Sequence, residues 1–335
     1  MFRRERHRWL WLVMMFNVTP LDAGASPEET FVSVQMENDF FASSGDRYYT
    51  HGTQLSVLKN TEPPPGLARF SEWVPFYEQG KQLSLVNYTL GQKIFTPNNT
   101  EAVTVVEGDR PYAGYLYFSA AVLSQLYSTA HIDHGNMFEI TLGLVGPSAM
   151  SRQSQTNFHD FIGIDSPKGW DNQLDDEPAL GLSYSRFWRI VQPVSSGLEL
   201  GVNPLVNMVV GNVYTYAAGS VMFRLGEHLN RDLSPPNIRP GFPGLAYFRK
   251  GREPSWYLFL GFESRLVARD IFLDGNTFKE SYSVEKETLV GDMQFGLVYL
   301  TGDWRFTFSN MVRTKEYTTQ EDNTHYGAVN ISFSY

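Results

Sequence analysis

Cysteine is absent from this chain of 335 residues, which excludes disulfides and thiolate metal sites. Basic residues are in deficit: Lys+Arg is 27 against 36 for Asp+Glu, so there is no electrostatic footprint for nucleic acid. No Gly-x-Ser-x-Gly elbow occurs, which removes the usual signal for a serine hydrolase. Beyond the N-terminus no apolar run reaches the roughly 18 residues that a spanning helix needs. What is present is an unusual aromatic content of 15% beside a slightly negative mean hydropathy of −0.28. That pairing suits a chain whose apolar residues alternate with polar ones.

The first residues read as a secretory signal. Arg3, Arg4, Arg6 and Arg8 form a basic n-region, Trp9 to Phe16 an apolar h-region too short to cross a bilayer as a helix, and Ala23-Gly24-Ala25 a small-x-small cleavage pattern. The expected organisation is a signal peptide over 1–25 and one outer-membrane unit over 26–335, with no internal repeat and no linker.

A period of two recurs along the mature chain. Phe138, Ile140, Leu142 and Leu144 alternate with Glu139, Thr141 and Gly143. Met293, Phe295, Leu297 and Tyr299 alternate with Asp292, Gln294 and Gly296, and Trp304, Phe306 and Phe308 with Arg305, Thr307 and Ser309. The last segment alternates through Val329, Ile331 and Phe333 to a terminal aromatic, Tyr335. In lipid every backbone N–H and C=O needs an internal partner, so strands can span only as a closed barrel, apolar outward and small or polar inward. The expected fold is all-β: a twelve-stranded antiparallel transmembrane barrel with a short helix in an extracellular loop. The expected strands are 31–38, 50–59, 82–94, 112–125, 137–146, 179–190, 196–209, 212–224, 255–268, 283–300, 303–314 and 326–335. Large interior side chains such as Glu139, Asp292 and Arg305 are expected to plug the lumen. The connections 60–81 and 225–254 are longer than the short turns expected on the periplasmic side.

The dense polar motifs fall on the opposite rim. They are ENDFF (Glu37–Phe41), YYTHG (Tyr48–Gly52), GQKIFTP (Gly91–Pro97), DRPYAG (Asp109–Gly114), QTNFHDFIG (Gln155–Gly163) and GWDNQLDDEP (Gly169–Pro178). Ser148 is expected to cap a helix with Met150, Phe158, Phe161 and Ile162 on its apolar side. Gln155 and His159, four residues apart, share one face of it. Strict alternation on the first strand puts Asn38 with the outward Val32, Val34 and Met36, and Asp39 on the lumen side, unless a bulge intervenes. His51 and His325 read as ordinary rim residues.

These six motifs, in order between Glu37 and Pro178, resemble those of the outer-membrane lipid A 3-O-deacylases, and the resemblance covers essentially the whole mature chain. The resemblance implies a Ca²⁺-dependent ester hydrolase that removes the acyl chains at the 3′ position of lipid A, with a site between the barrel wall and a loop helix. It places His159 as general base, Asp39 as the acid that holds Ca²⁺, and Asn38 and Thr50 as polar partners. Gln155, Asp165, Arg110, Trp170 and Gln173 are expected to bind or orient substrate, Asp165 by way of a ring nitrogen of His159. Some members carry a functional lysine in the second loop, whereas residues 98–101 here contain none. The chemistry agrees: a neutral imidazole takes a proton from water near neutral pH, and Ca²⁺ prefers hard oxygen ligands. The expected partner is lipid A of the outer leaflet, met by a membrane-embedded monomer. The alternatives are a non-enzymatic barrel (a narrow porin or an adhesin) and an outer-membrane phospholipase, which is expected to use a serine nucleophile.

Overall fold

The computed structural model describes residues 29–39, 48–72, 84–129, 132–236 and 247–335. The segment expected as a signal peptide, the end of the ENDFF motif and parts of the two long connections lie outside them. Twelve antiparallel strands run as a meander: β1 Thr30–Asn38, β2 Tyr48–Asn60, β3 Ser84–Thr96, β4 Ala113–Thr129, β5 Ile132–Val145, β6 Glu177–Ser195, β7 Leu198–Gly211, β8 Tyr214–Gly226, β9 Gly251–Asp270, β10 Leu289–Gly302, β11 Trp304–Arg313 and β12 Thr324–Ser334. β12 pairs with β1 and closes the barrel. Reciprocal bonds between Thr30 and Tyr335 (3.2 and 3.0 Å) seal the seam at the end that carries both termini.

The alternation read from the sequence is the inside–outside alternation of the wall. Each strand leaves one large apolar side chain well exposed on the outer face: Val34, Leu55, Leu90, Phe118, Leu142, Leu182, Val206, Phe223, Leu260, Leu297, Phe308 and Ile331. An apolar girdle of that extent is foreign to a water-soluble surface and matches the hydrocarbon belt of an outer-membrane barrel. Among the described residues no helix is long and apolar enough to cross a membrane. The strand count and order agree with expectation. The largest difference is at β10, where residues 283–288 stay in the loop: this segment is polar, and it joins the β11–β12 loop through a single bridge between Lys286 and Tyr317.

Among the described residues the lumen is plugged towards both ends rather than open, with a cavity lined by Met137, Asn203, Met222, Asp292 and Gln294 between them. At the rim opposite the termini, a one-turn helix α3 (Ile271–Asp274) drops into the mouth as a stopper. Asp270 caps it by accepting from the Phe272 N–H, and Phe272 stacks on Phe95 (4.0 Å between centroids) beside Tyr115 and Tyr214. Below lies an ion-pair chain. Arg110 meets Glu316 at 3.2 Å, Arg313 bridges Glu316 and Asp292, and Arg265 meets Asp292 at 2.8 Å. Pairing is what makes such charges tolerable away from water.

The terminal end is closed by the connection between β8 and β9. Leu229, Leu233 and Phe248 are buried among lumen-facing side chains, including Phe31 and Tyr257. Asp232 holds this segment in place. Its carboxylate pairs with Arg305 (3.1 Å) and accepts from the Tyr257 hydroxyl (2.7 Å), while its carbonyl accepts from Arg224 (3.0 Å). The length of 225–254 therefore has a physical reason: its described parts around Leu229–Leu233 and Tyr247–Phe248 fold inward as a seal. The other long connection carries α1 (Pro65–Ser71), whose Leu67 packs against Val86, Val122 and Phe138 on the outer wall.

Asp232 and Arg305 have no exposed side-chain surface. Asp232→Ala strands the guanidinium, a loss of about 3–5 kcal/mol for a buried pair broken on one side. The expected results are a lower urea midpoint and ion conductance across planar bilayers, where the parent chain is silent. An unchanged midpoint with silent bilayers contradicts the seal.

Candidate functional site on the outer wall

The loops at the rim opposite the termini fold over the outside of the barrel above β1–β4. Helix α2 (Ser151–Ile162) lies there against β3 and β4. Its buried residues are Ser151, Gln155 and His159, which recur every four positions and so form one stripe against the wall. The spacing of Gln155 and His159 was legible in the sequence. Which side of the helix faces the protein was not. The expected apolar side, Met150, Phe158, Phe161 and Ile162, is exposed, and the polar stripe is inside.

Ser148 also does not cap the helix. Its amide and hydroxyl both donate to Asp176 (2.7 and 2.8 Å), tying the two ends of the loop together. Met150 occupies the N-cap position in a left-handed conformation with no side-chain cap.

Two motif glycines explain how closely these parts fit. At Gly114, the end of DRPYAG, an added Cβ would lie 2.5 Å from the Ser151 hydroxyl and 3.2 Å from the Ala149 Cβ. Only hydrogen at this outward position lets α2 press on β4. At Gly52, the end of YYTHG, a Cβ would meet the Tyr49 hydroxyl as it crosses the lumen to Glu37.

His159 is buried, and its Nδ1 lies 2.8 Å from the backbone carbonyl of Asp165. A carbonyl can only accept, so Nδ1 carries the hydrogen and Nε2 is the basic nitrogen. The expected orienting role of Asp165 is thus met by its main chain and not its carboxylate. Gln155 accepts at Oε1 from the Trp170 indole N–H (2.9 Å), which sets its amide with Nε2 as donor. Trp170 is fully buried against Tyr112 and Ile94, an outward residue of β3. The second and third loops are interlocked around it: Leu174 N–H donates to Tyr112 O (2.9 Å) and Lys168 N–H to Thr100 O (2.9 Å). Where residues 98–101 offer no lysine, Lys168 of the third loop reaches Glu101 at 2.5 Å.

The β1–β2 end supplies the other wall. β1 is regular as far as Asn38, which pairs with His51 and Gly327, so Asn38 keeps the outer face it shares with Val34 and Met36. The bulge lies instead on β2. Tyr49 pairs with Phe95 and His51 with Ile94, leaving Thr50 as the extra residue. Thr50 is buried, with its hydroxyl 2.7 Å from that of Thr96. Asn38 Nδ2 is 3.4 Å from His51 Nδ1, and the His51 ring stacks on Phe158 at 6.3 Å. Asn38, His51, Phe158 and His159 therefore form a continuous series from the wall to the helix. His51 shares the outer face of Thr53 and Leu55 by alternation, but its partner Phe158 arrives only through the path of the third loop, which local sequence does not record.

Asp39 follows Asn38 and is buried where the chain leaves the ladder. Among the described residues no three His, Asp or Glu side chains form a metal-binding group. The donors near this end of β1 and β2 are nevertheless hard oxygens: the Asp39 carboxylate, the Asn38 amide and the Thr50 and Thr96 hydroxyls. That set suits Ca²⁺ rather than a soft metal.

Two expected residues stand apart. Arg110 lies inside the mouth, donating to the Tyr48 carbonyl (3.1 Å) and pairing with Glu316, with its guanidinium over the Phe95 and Tyr317 rings. Burial is the strongest influence and works against its charge, but Glu316, Tyr317, Asp270 and Asp109 together outweigh it and hold the pKa above the ordinary value. Gln173 is half-buried just after the short 3-10 turn Trp170–Asn172, with its Oε1 buried and unbonded among the described residues.

Gly114→Val is expected to lift α2 from the wall while leaving the barrel closed. Limited trypsin digestion checks this: faster cleavage at Arg152, with unchanged heat-modifiable migration, is the expected outcome, because cleavage within a helix requires local opening.

Similarity to known proteins agrees with this architecture. A family model described as outer membrane protein LpxR matches residues 9–335. Among solved structures, LpxR from Salmonella typhimurium superposes with a TM-score of 0.74 at 19% identity, covering 90% of this chain and 99% of that one. The β domain of the Bordetella autotransporter BrkA reaches only 0.43 at 8% identity, covering 91% of this chain and 98% of that one. The translocator domain of NalP from Neisseria meningitidis reaches 0.42 at 11% identity, covering 93% and 90% respectively. No curated protein sequence matches the chain. A barrel of the bacterial outer membrane matched over nearly its whole length, this chain belongs to the outer membrane protein LpxR family.

Proposed function

We propose that this chain, an outer-membrane lipid A deacylase by its family, hydrolyses the ester that holds the 3′-linked acyl chains of lipid A, in a calcium-dependent reaction. The observation that carries the reading is the buried His159, fixed through Nδ1 by a carbonyl, on a helix whose Phe158 stacks on His51, the neighbour of Asn38 on the outer wall. A site on the outside of the wall is where a lipid of the surrounding leaflet arrives. The plugged lumen argues against the porin alternative, and the phospholipase alternative lacks its serine nucleophile.

The steps follow from the residues. His159 Nε2 takes a proton from water, and the water oxygen attacks the ester carbonyl. The bond to the sugar oxygen then breaks, and the imidazolium returns its proton to that leaving oxygen. The Asp165 carbonyl stabilises the imidazolium while it exists, since its acceptor faces Nδ1–H in both charge states. Asn38 and Thr50 offer an amide and a hydroxyl donor to the charge that develops on the carbonyl oxygen. Gln155 and Trp170 keep α2 seated, and Gln173 lies on the loop that packs over it. Arg110 contributes from the inside, holding the Tyr48 carbonyl at the start of β2 two residues before Thr50. Asp39 would hold Ca²⁺ with oxygen donors of the same segment. When bound, the ion supplies Lewis-acid polarisation of the ester carbonyl.

Mass spectrometry of lipid A from cells expressing the chain tests this. Loss of 3′-linked acyl chains is expected with the parent chain. His159→Ala is expected to reduce it by at least about a hundredfold, the lower end for removal of a general base. Asp39→Ala and chelation of Ca²⁺ in isolated membranes are expected to reduce it likewise. Full deacylation by His159→Ala overturns the assignment. Full deacylation after chelation overturns the calcium dependence alone.

A further inference from the structure

The amphipathic pattern of α2 is inside out. Its stripe against the protein is Ser151, Gln155 and His159, while Phe158, Phe161 and Ile162 on the helix and Ile164 just beyond it are exposed, Phe161 to 86%. A helix on a water-facing loop buries its apolar side against the core. This one has given that position to the polar stripe.

The exposed apolar residues are gathered rather than scattered. At 100° per residue, Phe158 and Phe161 lie about 60° apart on one flank of the helix, Ile162 ends its last turn, and Gln153 and Asp160 lie on the opposite side. The apolar flank faces the β1–β2 side, because Phe158 stacks on His51. His51 shares the outer face of β2 with Leu55, beside Met36 and Val34 of β1, all members of the lipid-facing girdle. The flank is thus continuous with a surface already in contact with hydrocarbon.

We propose that the C-terminal end of α2, with Phe161, Ile162 and Ile164, is a lip seated among the acyl chains of the outer leaflet, and that this seating positions His159. Moving an apolar side chain from water into hydrocarbon is favourable in proportion to the area removed from water, and Phe161, Ile162 and Ile164 act together at one end of the helix. That end is built around the imidazole residue. The amides of Gly163 and Ile164 both donate to the His159 carbonyl (2.8 and 3.1 Å), and the Asp165 carbonyl accepts from the ring. Gly163 permits the reversal at φ 75°. Four residues after His159 thus return the chain to it, so the depth of the lip and the orientation of the ring are set together. The lipid surface stands independently of the deacylase reading; the positioning of His159 rests on it.

The absence of cysteine makes the test clean. Single nitroxide labels are placed through Phe161→Cys, Ile162→Cys, Gln153→Cys and Asp160→Cys, and the protein is reconstituted in phosphatidylcholine vesicles. Collision rates with oxygen, which partitions into hydrocarbon, and with a neutral nickel chelate, which stays in water, are then compared. Labels at 161 and 162 are expected to favour oxygen, and those at 153 and 160 the chelate. Equal chelate access at 161 and 160 overturns the lip.

The positioning arm uses Phe161→Asp. Its lipid A deacylation in vesicles is expected to fall by about tenfold relative to the parent, with recovery in detergent micelles containing the same substrate and unchanged heat-modifiable migration. An unchanged rate in vesicles overturns the coupling. If His159→Ala keeps full activity, the functional reading fails, and the collision experiment still decides the surface.

Discussion

Closure of β12 onto β1 is the constraint from which the rest follows. A sheet with an edge cannot exist in hydrocarbon, since each unpaired backbone group there costs several kcal/mol. The seam at Thr30 and Tyr335 removes the edge at one end of the wall. At the other end the same pairing sets Asn38 opposite Gly327 on one side and His51 on the other. The register that closes the barrel therefore also places the first polar residue of the candidate site.

A closed wall has an inside that must be filled or wetted, and here it is plugged towards both ends. Phe272 stops one mouth and the segment around Asp232 seals the other, with paired arginines and carboxylates between. The proposed chemistry is thereby assigned to the outer wall. There the bulge at Thr50, the missing Cβ at Gly114 and the interlocked second and third loops bring α2 down over β3 and β4. A lipid substrate approaches from that side, so an exterior site avoids moving acyl chains through a polar lumen.

The exterior position also accounts for the reversed helix. On a water-facing surface a stripe of Ser151, Gln155 and His159 would point outward. Against a barrel wall in a membrane the preference inverts: polar groups need protein partners, and apolar ones find lipid. His159 and Gln155 have theirs in Asp165 and Trp170.

Strand number, order and facing were legible in the sequence, because a period of two with apolar residues on one side has a single outcome in a bilayer. The motif clusters were legible as one rim, because alternating connections put them on the same side. The outward face of Asn38 already followed from alternation, whereas tertiary structure alone decided that Thr50 faces outward, that Arg110 lies within the mouth, and that His51 belongs beside α2. Each depends on a bulge or a loop path set by packing between segments distant in sequence. The inward fold of Leu229–Pro236 and the plug at Phe272 were hidden for the same reason. Their partners, Arg305, Tyr257 and Phe95, come from other strands, and local periodicity carries no record of them.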